Sequence, residues 1–269
     1  MPEGNEIHRH AELQSELFAG SVVRADAPNG RFAEGAQLLD KRKLGSVEAF
    51  GKHLLYDFGK DRHLHIHLGL FGKFRDGEMP YPEPRGALRL RMTTPRHWLE
   101  LRGPTACDVI NDKARQELLN RIGPDPLRPD ADLDTVVTRI TKSRAPIGAL
   151  LMDQSVIGGL GNIFRAELLY RARINPFVIG TKISAAQVSA IWKDAKQLMR
   201  DGMIDRRIVT TRPTDRPHPK GTARRFETHY VYRREGLPCF VCESEICMEE
   251  FVGRKLYWCP GCQPRIADG

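Results

Sequence analysis

Ile7, Ala11 and Phe18, with Gln14 between them, recur at the three-to-four-residue spacing of a helix, and the pattern stops at Gly20. Short strand-like runs follow, separated by Gly, Pro and Asp, at residues 21–25, 45–50, 54–58, 64–68, 87–92 and 98–101. The clearest has a period of two: Leu64, Ile66 and Leu68 fall on one face, His63, His65 and His67 on the other. Together these runs predict a β-sandwich or barrel. Beyond residue 110 the period becomes helical to 122, then breaks at 123–129, where three prolines and a glycine mark a linker. Asp132 caps a further predicted helix with Leu133, Val136, Val137 and Ile140 on one face. A short helix at about 146–154 leads to Gly158-Gly159-Leu160-Gly161-Asn162, a glycine turn feeding a helix at 163–171. Ser184 with Gln187 forms a capping box for a helix that buries Val188, Ile191, Ala195 and Leu198.

The expected organisation is α+β and multidomain. A β-sandwich spans residues 1–123, a linker 124–131, a helical domain 132–224 and a small hairpin 225–269. Cys239-Phe240-Val241-Cys242 and Cys259-Pro260-Gly261-Cys262 place two C-x-x-C pairs 16 residues apart, a spacing at which each pair holds one side of a tetrahedral zinc. Two disulfides are the alternative, but C-x-x-C is a poor geometry for a structural disulfide. One structural zinc is therefore expected. Arg254 lies near the turn between the pairs, either as a solvated charge or as a cation held out toward an anion. Cys107 and Cys247 remain as ordinary thiols.

The 269 residues carry a formal charge of +8, a balance that favours a polyanionic partner. The excess is uneven: from Arg206 to Arg234 nine bases face only two acids, Asp215 and Glu227, and this run leads into the cysteine hairpin. No run approaches about 18 consecutive apolar residues and no basic-then-apolar leader opens the chain, so a cytoplasmic protein without membrane contact is expected.

Met1-Pro2-Glu3-Gly4 reads in two ways. Proline suits the start of a helix, because its missing N–H is not needed there. Alternatively, removal of Met1 leaves Pro2 with a free secondary amine at the positive end of a helix, where its protonation is disfavoured. Such an amine can attack a sugar aldehyde carbon to form a Schiff base, with Glu3 moving the proton. Lys52, in the Gly-flanked stretch Phe50-Gly51-Lys52-His53, is either a surface lysine or one that approaches a phosphate. Leu70 and Phe71, between Gly69 and Gly72, either close the core or wedge into a base stack. The turn ending in Asn162 is either a plain helix connection or a backbone phosphate grip. The three histidines of 63–67 are either a polar outer face or a second metal site.

Taken in order, Met1-Pro2-Glu3-Gly4 with Glu6, Gly51-Lys52, the 154–168 stretch with Gly161-Asn162, and Arg254 ahead of Tyr257-Trp258-Cys259-Pro260-Gly261-Cys262-Gln263 resemble the family of formamidopyrimidine-DNA glycosylase and endonuclease VIII. The likeness runs over nearly the whole chain. It implies an N-terminal β-sandwich, a helix–two-turns–helix domain and a zinc finger, with damaged duplex DNA in the cleft between domains. A monomer associated with the nucleoid is expected. By the same resemblance Pro2 is the nucleophile, Glu3 the acid that helps open the deoxyribose, and Lys52 an aid to strand cleavage. Asn162 and Arg254 grip the lesion phosphate, Arg254 aiding the second elimination, and Arg121 binds DNA. Gly4, Arg121 ahead of Gly123-Pro124-Asp125, and Tyr257-Trp258 look like the endonuclease VIII branch, which removes oxidised pyrimidines. Two residues depart from that branch: Gly69 stands where a longer polar wedge residue is usual, leaving Leu70 and Phe71 to fill the void, and Asn5 replaces a proline. The alternatives are the same chemistry on oxidised purines such as 8-oxoguanine, or a zinc module that binds DNA without catalysis.

Overall fold

The computed structural model describes residues 2–265, and Met1 lies outside them. The chain divides into two compact units, residues 1–121 and 122–269.

In the first unit, two antiparallel sheets face each other. One, in the order β2-β1-β7-β8-β6, comprises β1 (Val22–Asp26), β2 (Arg42–Lys43), β6 (Lys73–Glu78), β7 (Leu88–Thr93) and β8 (His97–Arg102). The other, in the order β3-β4-β5-β9, comprises β3 (Ser46–Phe50), β4 (His53–Asp57), β5 (His63–His67) and β9 (Ala106–Ile110). The period of two fixes which residues meet between them: Val23, Leu90, Met92, Leu99 and Leu101 from one sheet, Val47, Leu54, Tyr56, Leu64, Ile66 and Cys107 from the other.

Two helices close the sides that a sandwich leaves open. Helix α1 (Gly4–Phe18) packs on the edge strand β3, and its His10 ring lies 4.9 Å from Phe74 of the opposite edge strand β6. Helix α2 (Ala33–Leu39) packs on β1 and β9 and buries Ala36 and Leu39. The edge strands β3 and β9 of the second sheet are thereby partly covered. Helix α3 (Asp112–Arg121) follows β9, with Asp112 2.6 Å from His63, Arg115 3.9 Å from Glu48 and Leu118 buried.

In the second unit, α4 (Leu133–Thr141), the single turn α5 (Ile147–Leu150), α6 (Asn162–Arg171) and α7 (Ala185–Ile204) surround an apolar core. Asp132 caps α4 by accepting from the Asp134 N–H at 2.9 Å, and Ser184 with Gln187 forms the capping box of α7. The spacing from Val188 to Leu198 does bury one face of α7. The helix expected over 146–154 is only α5, because Gln154 leaves the helix to brace the glycine turn: its Nε2 donates to Leu160 O at 2.9 Å and its Oε1 accepts from Gly159 N at 3.1 Å. The hairpin of β10 (Cys247–Phe251) and β11 (Arg254–Trp258) packs on the other side of α6, with Tyr170, Tyr230, Val231, Ile246 and Tyr257 in a separate core. Helix α6 is therefore buried from Phe164 through Tyr170. No helix among the described residues is long and apolar enough to cross a membrane.

Candidate active site and metal centre

Pro2 precedes the first helix rather than opening it. Helix α1 starts at Gly4, Glu3 is its extended N-cap residue, and the Glu3 carbonyl accepts from Glu6 N at 3.0 Å. Pro2 is half-buried, whereas Glu3 is only 2 % exposed. The direction of α1 follows from two contacts: Tyr56 donates to Gln14 late in the helix, and Gly20 N donates to Leu44 O at 2.7 Å. The C-terminal end of α1 thus lies where β3 begins. Its N-terminal end points toward the β3–β4 turn, which carries Lys52.

That turn is a two-residue hairpin. Phe50 pairs with His53, and Gly51 has φ +58°, the left-handed value that a II′ turn requires at its first central position. On the outer face of the same sheet, His53 lies opposite His67, and His53 Nδ1 is 2.9 Å from His65 Nε2. The histidine of this cluster that strand periodicity alone cannot supply is His53, which joins through cross-strand pairing. His63, grouped with the others by sequence, is instead buried and paired to Asp112. Among the described residues only the four cysteines form a metal-sized cluster, and the three histidines of 63–67 are not part of one.

Burial, then the charges of His65, His67, Arg121 and Lys52, pushes His53 down to about 3. Burial also drives His65 down to about 4, with His67 and Arg121 adding to it and Asp108 opposing. Lys52 and Arg121 are therefore both within electrostatic reach of this cluster. Unfolded histidines take up protons below their ordinary pKa near 6.5, whereas these stay neutral, so the unfolded state binds more protons in that range. Stability of the first unit is expected to fall as pH drops from about 6.5 toward 4, and His53→Gln to flatten the slope in denaturant titrations.

Glu6 is held ionised at about 2: burial opposes this, but hydrogen bonds and charge from His10 and Arg9 outweigh it. Its oxygens lie 2.6 Å from Arg9 Nη2 and 3.2 Å from His10 Nε2. The β5–β6 turn exposes Leu70 (52 %) and Phe71 (83 %), so neither closes the core. Gly69 has φ +66°, and a Cβ there would lie 1.8 Å from Thr105 Oγ1. The left-handed backbone and the Thr105 hydroxyl together make a longer side chain strained at this position.

In the second unit, Asn162 opens α6 after the N-cap Gly161. Its Nδ2 donates to Lys255 O at 2.8 Å. The fully buried Arg165 donates to Asn162 Oδ1 and, at 3.2 Å, to the same Lys255 carbonyl. This links the start of α6 to the strand on which the exposed Arg254 follows the turn residues Val252 and Gly253. Further along α6, the buried Glu167 accepts from Tyr230 N (2.7 Å), Val231 N and Tyr232 N (2.8 Å each) and from Thr210, fixing the end of the basic connector. A charged pair inside an apolar helix was the only sequence signal for Arg165 and Glu167.

The four cysteine sulfurs lie within 4.8 Å of one another. Cys242 is 3.3 Å from Cys259 and 3.4 Å from Cys262, and Cys239 is 3.8 Å from Cys262. A tetrahedron with metal–sulfur bonds of about 2.3 Å has edges of about 3.8 Å, so the donor set fits zinc once the closest pairs open by about half an ångström and the widest close by up to about 1 Å. Val241 N points at Cys239 Sγ and Cys262 N at Cys259 Sγ, both at 3.4 Å, as suits thiolate acceptors. The buried Gln263 fastens the second pair: its Oε1 accepts from Cys259 N at 3.0 Å and its Nε2 donates to Ile174 O at 2.8 Å.

Residues 1–105 match the family model of the formamidopyrimidine-DNA glycosylase N-terminal domain, and residues 122–213 that of the formamidopyrimidine-DNA glycosylase H2TH domain. Endonuclease 8 1 of Mycobacterium tuberculosis is 44% identical over 268 residues, covering 98% of this chain and 100% of that protein. The formamidopyrimidine-DNA glycosylase of Thermus thermophilus is 30% identical over 276 residues, covering 98% of each. Lactococcus lactis Fpg, in a complex with DNA containing an abasic site, shares the fold with a TM-score of 0.80 at 21% identity, covering 98% of this chain and 100% of that one. With both family models matched and full-length relatives in both branches, the chain belongs to the formamidopyrimidine-DNA glycosylase and endonuclease VIII family, whose members are DNA glycosylases and abasic-site lyases.

Proposed function

We propose that this enzyme excises oxidised pyrimidines from duplex DNA through a Schiff base on Pro2, and cleaves the strand by β,δ-elimination. The observation that carries the pyrimidine assignment is the greater likeness to Endonuclease 8 1 than to the formamidopyrimidine-DNA glycosylase, supported by Gly4 at the start of α1.

Once Met1 is removed, the Pro2 nitrogen attacks C1′ of the damaged nucleotide, and the base leaves with its bonding pair. Glu3 supplies the proton that opens the sugar ring at its oxygen while the Pro2 nitrogen gives up its N–H proton, leaving an iminium ion between Pro2 and C1′. The positively charged iminium acidifies the C2′ proton. Loss of that proton and departure of the 3′ phosphate is the β-elimination, which Lys52 assists. A second loss frees the 5′ phosphate, with Arg254 and Asn162 binding phosphate oxygens. Hydrolysis then returns the Pro2 amine. Leu70 and Phe71 fill the space of the flipped nucleotide, and Arg121 binds DNA.

Cys239, Cys242, Cys259 and Cys262 hold one zinc. Four cysteine ligands leave no open position on the metal, so its part is to hold the hairpin that bears Arg254.

Two comparisons test this reading. Duplexes containing thymine glycol are expected to be cleaved faster than matched 8-oxoguanine duplexes; the reverse order would assign the purine branch. DNA affinity is expected to fall by roughly 10³–10⁵ between about 50 and 200 mM salt if six to ten phosphates are neutralised. Salt-independent binding in a filter or anisotropy assay would remove the electrostatic part of the account.

A further inference from the structure

We propose that Tyr170 donates a hydrogen bond from its phenol to the Cys239 sulfur and so retains the metal, an inference that rests on the zinc reading above. Tyr170 is 1 % exposed, and a buried phenol requires a partner for its proton. Its hydroxyl lies 3.1 Å from Cys239 Sγ and 3.8 Å from Cys262 Sγ. A thiolate on zinc has no proton to give, so the phenol is the donor and the sulfur the acceptor. Cys239 then receives two hydrogen bonds, one from Tyr170 and one from Val241 N at 3.4 Å.

The ring is held in place independently of this bond. It stacks on Tyr230 with centroids 4.5 Å apart and planes at 24°, and the Arg173 guanidinium lies 4.9 Å from its centre. The Tyr230 hydroxyl in turn donates to Asp215 at 2.5 Å and accepts from Arg212 N at 2.8 Å. Because Tyr170 stands on α6, the hydrogen bond fastens the metal cluster to the helix that begins with Asn162. Removing a polar partner of a metal ligand typically lowers metal affinity 10- to 100-fold.

The test compares full-length wild type with Tyr170→Phe and Tyr230→Phe, each zinc-loaded, by metal content and by the rate of zinc transfer to a chromogenic chelator. Tyr170→Phe is expected to bind one zinc per chain and release it roughly 10–100 times faster. It is also expected to shift the sulfur-to-cobalt charge-transfer band of the cobalt-substituted protein. Tyr230→Phe keeps the stack and is expected to release zinc at the wild-type rate. Identical release and an identical band in Tyr170→Phe would overturn the proposal while leaving the zinc reading intact. A wild-type protein that takes up no zinc would overturn both. If the phenylalanine variant does not fold, 3-fluorotyrosine placed at position 170 strengthens the donor and is expected to slow release; an unchanged rate overturns the proposal.

Discussion

Glu3→Gln is expected to lower excision of an oxidised pyrimidine by roughly two to four orders of magnitude, the usual contribution of a positioned acid. Elimination at a preformed abasic site is expected to suffer far less, because there the base has already gone and part of the sugar is already an open aldehyde. The structure makes this a clean comparison. Glu3 is buried at the N-cap of α1, yet the helix is capped through its backbone carbonyl and no side-chain cap bond is present. Glutamine keeps the shape and leaves that backbone bond in place, and the Tm of the variant against wild type reads any change in the fold apart from the change in rate. Single-turnover rates on thymine glycol and abasic duplexes, measured side by side, decide it. An equal loss on both substrates would move Glu3 from ring opening to a general structural role.

Removal of the metal is expected to have an effect as large, by a different route. Structural zinc in finger peptides contributes about 10–16 kcal/mol of folding free energy, and the hairpin here has little else of its own. Cys239 and Cys259 are part of the small core shared with Tyr170, Tyr230 and Tyr257. Cys259→Ala is therefore expected to bind no zinc and to lose ordered structure in β10 and β11. With them go the position of Arg254 and the Lys255 carbonyl that Asn162 and Arg165 share, so DNA cleavage is expected to vanish. Cys247→Ser is the control. Cys247 stands on β10 outside the cluster, and the variant is expected to keep one zinc and full activity. Elemental analysis with hydrogen exchange across 247–258 checks both; a zinc-free Cys259→Ala with a protected hairpin would contradict the account.

Where side chains repeat along one face, the sequence was readable. Leu64, Ile66 and Leu68 are all buried as the alternation requires, and so are Val188, Ile191, Ala195 and Leu198 of α7. The strands that escaped notice are edges: β6, with the sequence Lys-Phe-Arg-Asp-Gly-Glu, has no buried residue, and β9 has one. An edge strand with one side in water carries no alternation to read. The same limit hid α2, which is seven residues long and buries two. The cysteine cluster was legible because metal ligands must recur at short spacings. Arg165, Glu167 and Tyr170 were not, because their partners lie 60 to 90 residues away in the chain. Only the packing of the hairpin on α6 brings them together.

Borohydride trapping on a duplex containing thymine glycol, followed by peptide mapping of the cross-link, tests the central claim most directly. An adduct on a peptide that begins at Pro2 is the predicted result, and it would establish the removal of Met1, the nucleophile and the pyrimidine substrate together. An adduct on Lys52, or none while the protein still binds the DNA, would contradict it.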